Sequence, residues 1–68
     1  MLVDNMRTYI KNNQNINIGH IDDEGHQKVA YSASNIRLGT FRDGSTYDAS
    51  NIKIADGDIL SALIFNNR

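Results

Sequence analysis

Residues 35–41 read Asn-Ile-Arg-Leu-Gly-Thr-Phe, and residues 15–21 read Asn-Ile-Asn-Ile-Gly-His-Ile. Both segments follow the order Asn, apolar, polar, apolar, Gly, polar, apolar. A third segment, Asn-Ile-Lys-Ile-Ala at 51–55, begins in the same way and has Ala where the other two have Gly. Such close self-similarity within a short chain indicates a fold built from repeated supersecondary units.

The residues that flank these segments indicate that each unit is a β-hairpin. Tyr-Ser-Ala-Ser-Asn at 31–35 matches Tyr-Asp-Ala-Ser-Asn at 47–51 in four of five positions, and each copy leads to an acidic turn with Gly. Asp-Gly between alternating apolar residues favours a tight hairpin, because both residues tolerate positive φ. We therefore predict a mainly β (α+β) fold in which three antiparallel hairpin repeats, across 15–65, form a small sheet or barrel.

The apolar residues at the end of each unit break the alternation of a regular strand. Ile21 and Phe41 lie three positions after an apolar residue, so strict alternation places them on the opposite face of the sheet. A β-bulge at Gly19 and Gly39 would return them to the core side. Alternatively, they line a second apolar surface between sheets or between subunits, which favours an oligomer.

The two ends of the chain show other patterns. Apolar residues near the start have the spacing of an amphipathic helix: Leu2, Val3, Met6, Tyr9 and Ile10. We therefore expect a short N-terminal helix over 1–13. At the other end, Asp58 can cap a helix, yet the apolar residues 62–65 read equally well as a buried strand. We favour the strand, because it completes the third hairpin.

The composition limits the class of protein. The chain has 68 residues, no Cys and a formal net charge of −1, which predicts one domain over 1–68 without disulfides or thiolate zinc sites. Its longest apolar run, at 62–65, is far shorter than the roughly 18 residues of a membrane span, and Asp4 lies where a signal peptide is basic. We expect a cytoplasmic protein that does not bind a membrane.

Two further classes receive little support from the sequence. Arg37, Lys53 and Lys28 could line a strand face, with Tyr31 and Tyr47 as stacking platforms for nucleic acid. Scattered carboxylates and the net charge favour a solvated face instead, so we expect no nucleic-acid partner. The chain has no Gly-x-Ser-x-Gly elbow and no identified His–acid relay, so we expect neither an enzyme nor a cofactor.

The densest cluster of potential metal ligands lies at 20–26, which read His-Ile-Asp-Asp-Glu-Gly-His. A hairpin turn could bring His20 and His26 across from each other, with Asp22 as a third ligand for a divalent metal. The spacing matches no established ligand pattern, and acidic turns are usually solvated. These residues give an alternative function, a metal- or small-ligand-binding accessory protein.

The size of the chain favours self-association. A domain of about 60 residues buries only about 60% of its unfolded surface, and oligomerisation is a common way to bury more. We therefore predict a small self-associating interaction module, a homo-oligomer that can also bind an unidentified protein partner. The candidate interface residues are apolar or aromatic: Tyr31, Phe41, Tyr47, Leu63 and Phe65.

The repeat also has a counterpart among bacterial proteins. Residues 47–54 read Tyr-Asp-Ala-Ser-Asn-Ile-Lys-Ile, with a companion at 31–39 and an Asp-Gly turn at 43–44. This pattern resembles the short Tyr-Asp/Ile-x-Ile-Gly/Asp-Gly hairpin repeats of small uncharacterised bacterial proteins, over residues 15–58. The resemblance implies hairpins and carries no activity, and Ala55 departs from the Gly of the pattern.

Overall fold

A computed structural model describes residues 6–67 and shows a mainly β fold with one C-terminal helix. Six antiparallel strands form a single open sheet in the order β1-β2-β3-β4-β5-β6, so each strand pairs with its neighbours in sequence. The elements are β1 Met6–Lys11, β2 Asn17–Asp23, β3 Lys28–Ser32, β4 Arg37–Arg42, β5 Ser45–Asp48, β6 Lys53–Asp56 and α1 Leu60–Asn66. The prediction of a mainly β fold with antiparallel strands is confirmed. The third predicted hairpin, which needed a strand at 62–65, does not form, and no barrel forms among the described residues.

The three hairpins, β1–β2, β3–β4 and β5–β6, share one loop structure. In each loop the side-chain oxygen of the first residue accepts hydrogen bonds from the N–H groups of the third and fifth residues. The fourth residue is Asn with positive φ, as three-residue hairpin loops require. The loops are 12–16, 32–36 and 48–52, with Asn15, Asn35 and Asn51 at φ of 63°, 66° and 67°.

Each hairpin also contains a β-bulge at the same place. In β3–β4, Ala30 pairs with Gly39 and Tyr31 pairs with Arg37, which leaves Leu38 as the extra residue. Equivalent register shifts occur in β1–β2 and β5–β6. Of the two alternatives, the structure therefore supports the bulge, which lies one residue before Gly39, and Leu38 and Phe41 both pack on the core side.

The core lies between α1 and the middle of the sheet. The helix contacts β2, β3 and β4, and it buries Leu60 and Ile64 completely against Ala30. These two helix residues lie four apart, so one turn of α-helix presents both to the sheet. No helix within residues 6–67 has the length and apolar character to span a bilayer.

Two glycines allow the helix to approach the sheet closely. A Cβ atom on Gly19 would lie 2.7 Å from Ile64 Cγ2, and one on Gly39 would lie 2.6 Å from Leu63 Cδ1. The third equivalent position holds Ala55, on the edge strand β6. Because α1 packs over β2–β4, position 55 does not have to be glycine.

Both end predictions need correction. Met6–Lys11 is strand β1, so the predicted N-terminal helix is wrong there, and its first five residues lie outside the described part of the chain. The N-terminal apolar residues serve two faces, since Ile10 packs on the core while Tyr9 lies on the opposite side beside His20. The favoured strand at 62–65 is also wrong, because Leu60–Asn66 forms a helix that covers the core.

Candidate functional site

The helix packs on one face of the sheet, over β2–β4, and among residues 6–67 no helix or strand packs over the other face. We call this second surface the open face. Successive side chains of a strand point to opposite faces, and Ile10, Ile21 and Phe41 mark the core side. The open face therefore carries four aromatic rings: Tyr9, His20, Tyr31 and Tyr47. The same rule assigns it five cations and two carboxylates: Arg7, Lys11, Arg37, Arg42, Lys53, Asp22 and Asp56.

Three rings form an aromatic cluster across β1, β2 and β3. The His20 ring stacks on Tyr31 with 5.0 Å between ring centroids, and Tyr9 meets His20 edge to face at 5.9 Å. His20 is only 4% exposed, while Tyr9 is 54% exposed. The outer rings therefore shield the imidazole and present their own surfaces to solvent.

The repeat places a tyrosine opposite a cation in two hairpins. Tyr31 pairs with Arg37 across β3–β4, and Tyr47 pairs with Lys53 across β5–β6. In both pairs the partners lie six residues apart in sequence, and the shared loop and bulge bring them together. The most regular part of the sequence thus produces a repeated aromatic–cation pair on the open face.

Two guanidinium groups are held in place over this surface by the loop 48–52. Arg37 donates a hydrogen bond of 2.8 Å to the carbonyl oxygen of Ala49, and Arg42 donates one of 3.1 Å to Asn51 Oδ1. Arg42 also lies 4.0 Å from the centroid of the Tyr47 ring, in a cation–π contact. Both groups are therefore oriented before any partner arrives.

The two faces differ in charge. The open face carries five cations against two carboxylates, a formal excess of three positive charges. The other described carboxylates lie in turns or on the helix side: Asp23, Glu24, Asp43, Asp48 and Asp58. The chain as a whole has a net charge of −1, so the fold separates charges that the sequence intermixes.

Both carboxylates of the open face are already paired. Arg7 donates two hydrogen bonds to Asp22, at 2.7 and 3.0 Å, and this lowers the pKa of the Asp22 carboxyl below its ordinary value. Lys53 lies 2.7 Å from Asp56, which raises the pKa of the lysine and lowers that of the carboxyl. Within the described residues, Lys11 and Arg37 have no carboxylate partner.

The three predicted metal ligands have separate surroundings. His20 is buried within the aromatic cluster, Asp22 is bound by Arg7, and His26 is exposed in the turn between β2 and β3. Across 6–67 there is no group of three His, Cys, Asp or Glu side chains that could hold a metal ion.

The five predicted interface residues divide between the faces. Tyr31 and Tyr47 lie half-buried on the open face. Phe41 and Leu63 pack against the hydrophobic core. Phe65, on the helix, is 38% exposed.

Sequence reasoning missed Arg7, Tyr9 and Arg42 as members of the site. The predicted N-terminal helix concealed the first two, and Arg42 precedes the Asp43-Gly44 turn, where the sequence predicted no binding role. The sequence contains one indication of the site, because a tyrosine is followed six residues later by a cation in two places, at 31–37 and at 47–53. Comparison of the chain with protein-family models, curated proteins and solved structures returns no match. The resemblance to bacterial hairpin-repeat proteins therefore stays a prediction.

Proposed function

We propose that this chain is a small self-associating interaction module, with no catalytic role, that binds a macromolecular partner on its open face. One observation carries the proposal: a seven-residue helix covers one side of the sheet, while the other side displays ordered aromatic and cationic groups. A cytoplasmic location belongs to the same proposal, because a chain without cysteine needs no oxidising compartment.

The small core supports the self-association part of the proposal. Four hydrophobic residues are buried among those described: Val29, Ala30, Leu60 and Ile64. A domain with so little buried apolar surface has a narrow margin of stability, and burying more surface against a second copy widens that margin.

Three isoleucines offer a surface for a second copy. We call them the isoleucine row: Ile16, Ile36 and Ile52, which are 54%, 63% and 61% exposed. They occupy the same position in the three shared loops, so neighbours are two strands, or about 10 Å, apart. The loop uses only the backbone of this residue, and its N–H and C=O groups do not require an apolar side chain. An apolar residue at all three places therefore points to a contact outside the loop.

Static light scattering at micromolar concentration tests self-association. We expect a mass of at least twice the 7.6 kDa of one chain. Replacing all three residues of the isoleucine row by Ser should shift the mass toward one chain. The matched control is Ile54→Ser, since Ile54 is 43% exposed and lies outside the row. A wild-type monomer contradicts self-association, and an effect of Ile54→Ser equal to that of the triple variant contradicts the role of the row.

A further inference from the structure

We infer that the open face binds single-stranded nucleic acid, with the bases against its aromatic rings and the phosphates against its guanidinium and ammonium groups. The inference names the partner class for the surface described under the proposed function and rests on that proposal. The net charge of −1 argued against such a partner at the level of the sequence. The folded chain changes this conclusion, because five of the six described cations lie on one surface.

The charge of the open face supports a polyanionic partner. Arg7 and Lys53 are neutralised by neighbouring carboxylates, whereas Lys11 and Arg37 have no such partner among residues 6–67. Arg42 approaches the exposed Asp43 only at 3.9 Å, and its guanidinium carbon lies over the Tyr47 ring. Lys11 lies on β1, and Arg37 and Arg42 lie at the two ends of β4, so these cations are spread over the open face, as expected if an extended chain of phosphates crosses it.

The rings support a partner that has flat groups as well as charge. Single-stranded nucleic acids bind by stacking bases on aromatic side chains or on Arg guanidinium planes. Tyr9 is more than half exposed, and Tyr31 and Tyr47 are partly exposed. Each of the latter two lies directly opposite a cation, so a base and its phosphate can be contacted at neighbouring positions.

Two other occupants fit the open face less well. A second copy with its open face toward the first would bring together two surfaces that each carry an excess of positive charge, and this is repulsive. An acidic protein would satisfy the charges but gives no reason for a tyrosine opposite the cation in both hairpins. Single-stranded nucleic acid accounts for the charges and the rings together.

Fluorescence anisotropy with dye-labelled single-stranded RNA and DNA of mixed sequence tests the inference. We expect binding that weakens linearly in a plot of log Kd against log salt concentration. The double variant Lys11→Gln, Arg37→Gln should raise Kd about tenfold and lower the salt slope by about 1.4, since neither side chain has a described carboxylate partner and each lost phosphate contact contributes about 0.7. Tyr31→Leu should raise Kd about tenfold through lost stacking, while Tyr31→Phe should keep most of the affinity.

Lys28→Gln is the matched control, because it removes one positive charge from the helix side, where Lys28 lies 3.8 Å from Asp58. It should change Kd by less than about twofold, since exposed charges far from the partner are screened by salt. Circular dichroism should show that every variant keeps the wild-type fold.

Three results would overturn the inference. These are no binding at low salt, equal affinity for a duplex of the same length, and competition by poly-glutamate as effective as that by unlabelled oligonucleotide. The last result would identify an acidic protein as the partner. Light scattering on the same samples separates the two proposals, because a self-associating protein that binds no oligonucleotide contradicts only this inference. A monomer that binds contradicts only self-association.

Discussion

The two faces of the sheet have different physical roles, although the same strands form both. On the helix side, the sheet residues beneath α1 have small side chains or none, so the helix packs close to the strands and buries its apolar residues. These sheet residues are Gly19, Gly39 and Ala30. On the open face, long side chains extend over the sheet, and they bury Thr40 and His20 to 4% exposure without a second layer. Close packing provides stability on the first side, whereas ordered polar and aromatic groups remain available for binding on the second.

The first way to test this contrast is to remove packing from the helix side. Ile64→Ala should lower the free energy of unfolding by about 3 kcal/mol, because it leaves a cavity in a core with few buried residues. Urea denaturation followed by circular dichroism measures the loss. Ile54→Ala removes the same atoms from a residue that is 43% exposed, and it should cost less than half as much. Equal losses would show that the helix side does not dominate stability.

The second test adds a methyl group at a point where the helix closely approaches the sheet. Gly39→Ala should cost about 2 kcal/mol, because its Cβ would lie 2.6 Å from both Leu63 Cδ1 and the carbonyl oxygen of Tyr47. The equivalent residue of the third hairpin provides the control, since Ala55 already carries this group. Ala55→Gly should cost less than about 1 kcal/mol, from backbone entropy alone. If Gly39→Ala is neutral, the helix can move away from the sheet without loss of stability.

The third and smallest effect concerns an ion pair on the open face. Arg7 lowers the pKa of the Asp22 carboxyl, so this pair stabilises the fold above the unfolded pKa of about 3.9. The contribution is lost as the pH falls through the lower folded pKa. Asp22→Asn should therefore make the decline of stability between about pH 5 and pH 2 shallower, as measured by urea midpoints at each pH.

The control for this pH series is Asp56→Asn. The Asp56 carboxylate is also paired, with Lys53, but its side chain is 87% exposed, against 17% for Asp22. Solvent and salt screen an exposed pair, so the slope should change less than with Asp22→Asn. An equal change in both variants would show that exposure does not distinguish the two pairs.

The hairpins of the middle and C-terminal repeats could be predicted because their turn chemistry is local. Asn35 and Asn51 have φ of 66° and 67° in the loops of these two hairpins. In the turn between β4 and β5, Asp43 and Gly44 have φ of 52° and 78°, and all of these residue types tolerate such values. The first hairpin was harder to find, since Asn-Asn-Gln-Asn at 12–15 has little identity with Ser-Ala-Ser-Asn at 32–35. What the loops share is a side-chain oxygen at their first position, and Asn, Ser and Asp all supply one.

The candidate site could be predicted only in part. The residues predicted to line one strand face were Tyr31, Tyr47, Arg37, Lys53 and Lys28. The first four lie on the open face, whereas Lys28 lies on the helix side. Arg42 was not predicted, because its role depends on reaching Tyr47 and Asn51 on other elements. The charge of a surface likewise cannot be derived from the net charge of the chain, since it depends on which residues share a face of the sheet.

The sequence by itself determined the repeated hairpin, because turn residues and alternating apolar positions act over a few neighbouring positions along the chain. The tertiary structure decided three other features: the helix at 60–66, the strand at 6–11 and the separation of charge between the two faces. The physical reason is that short apolar segments are compatible with either helix or strand, and only the surface left uncovered by the rest of the chain selects between them.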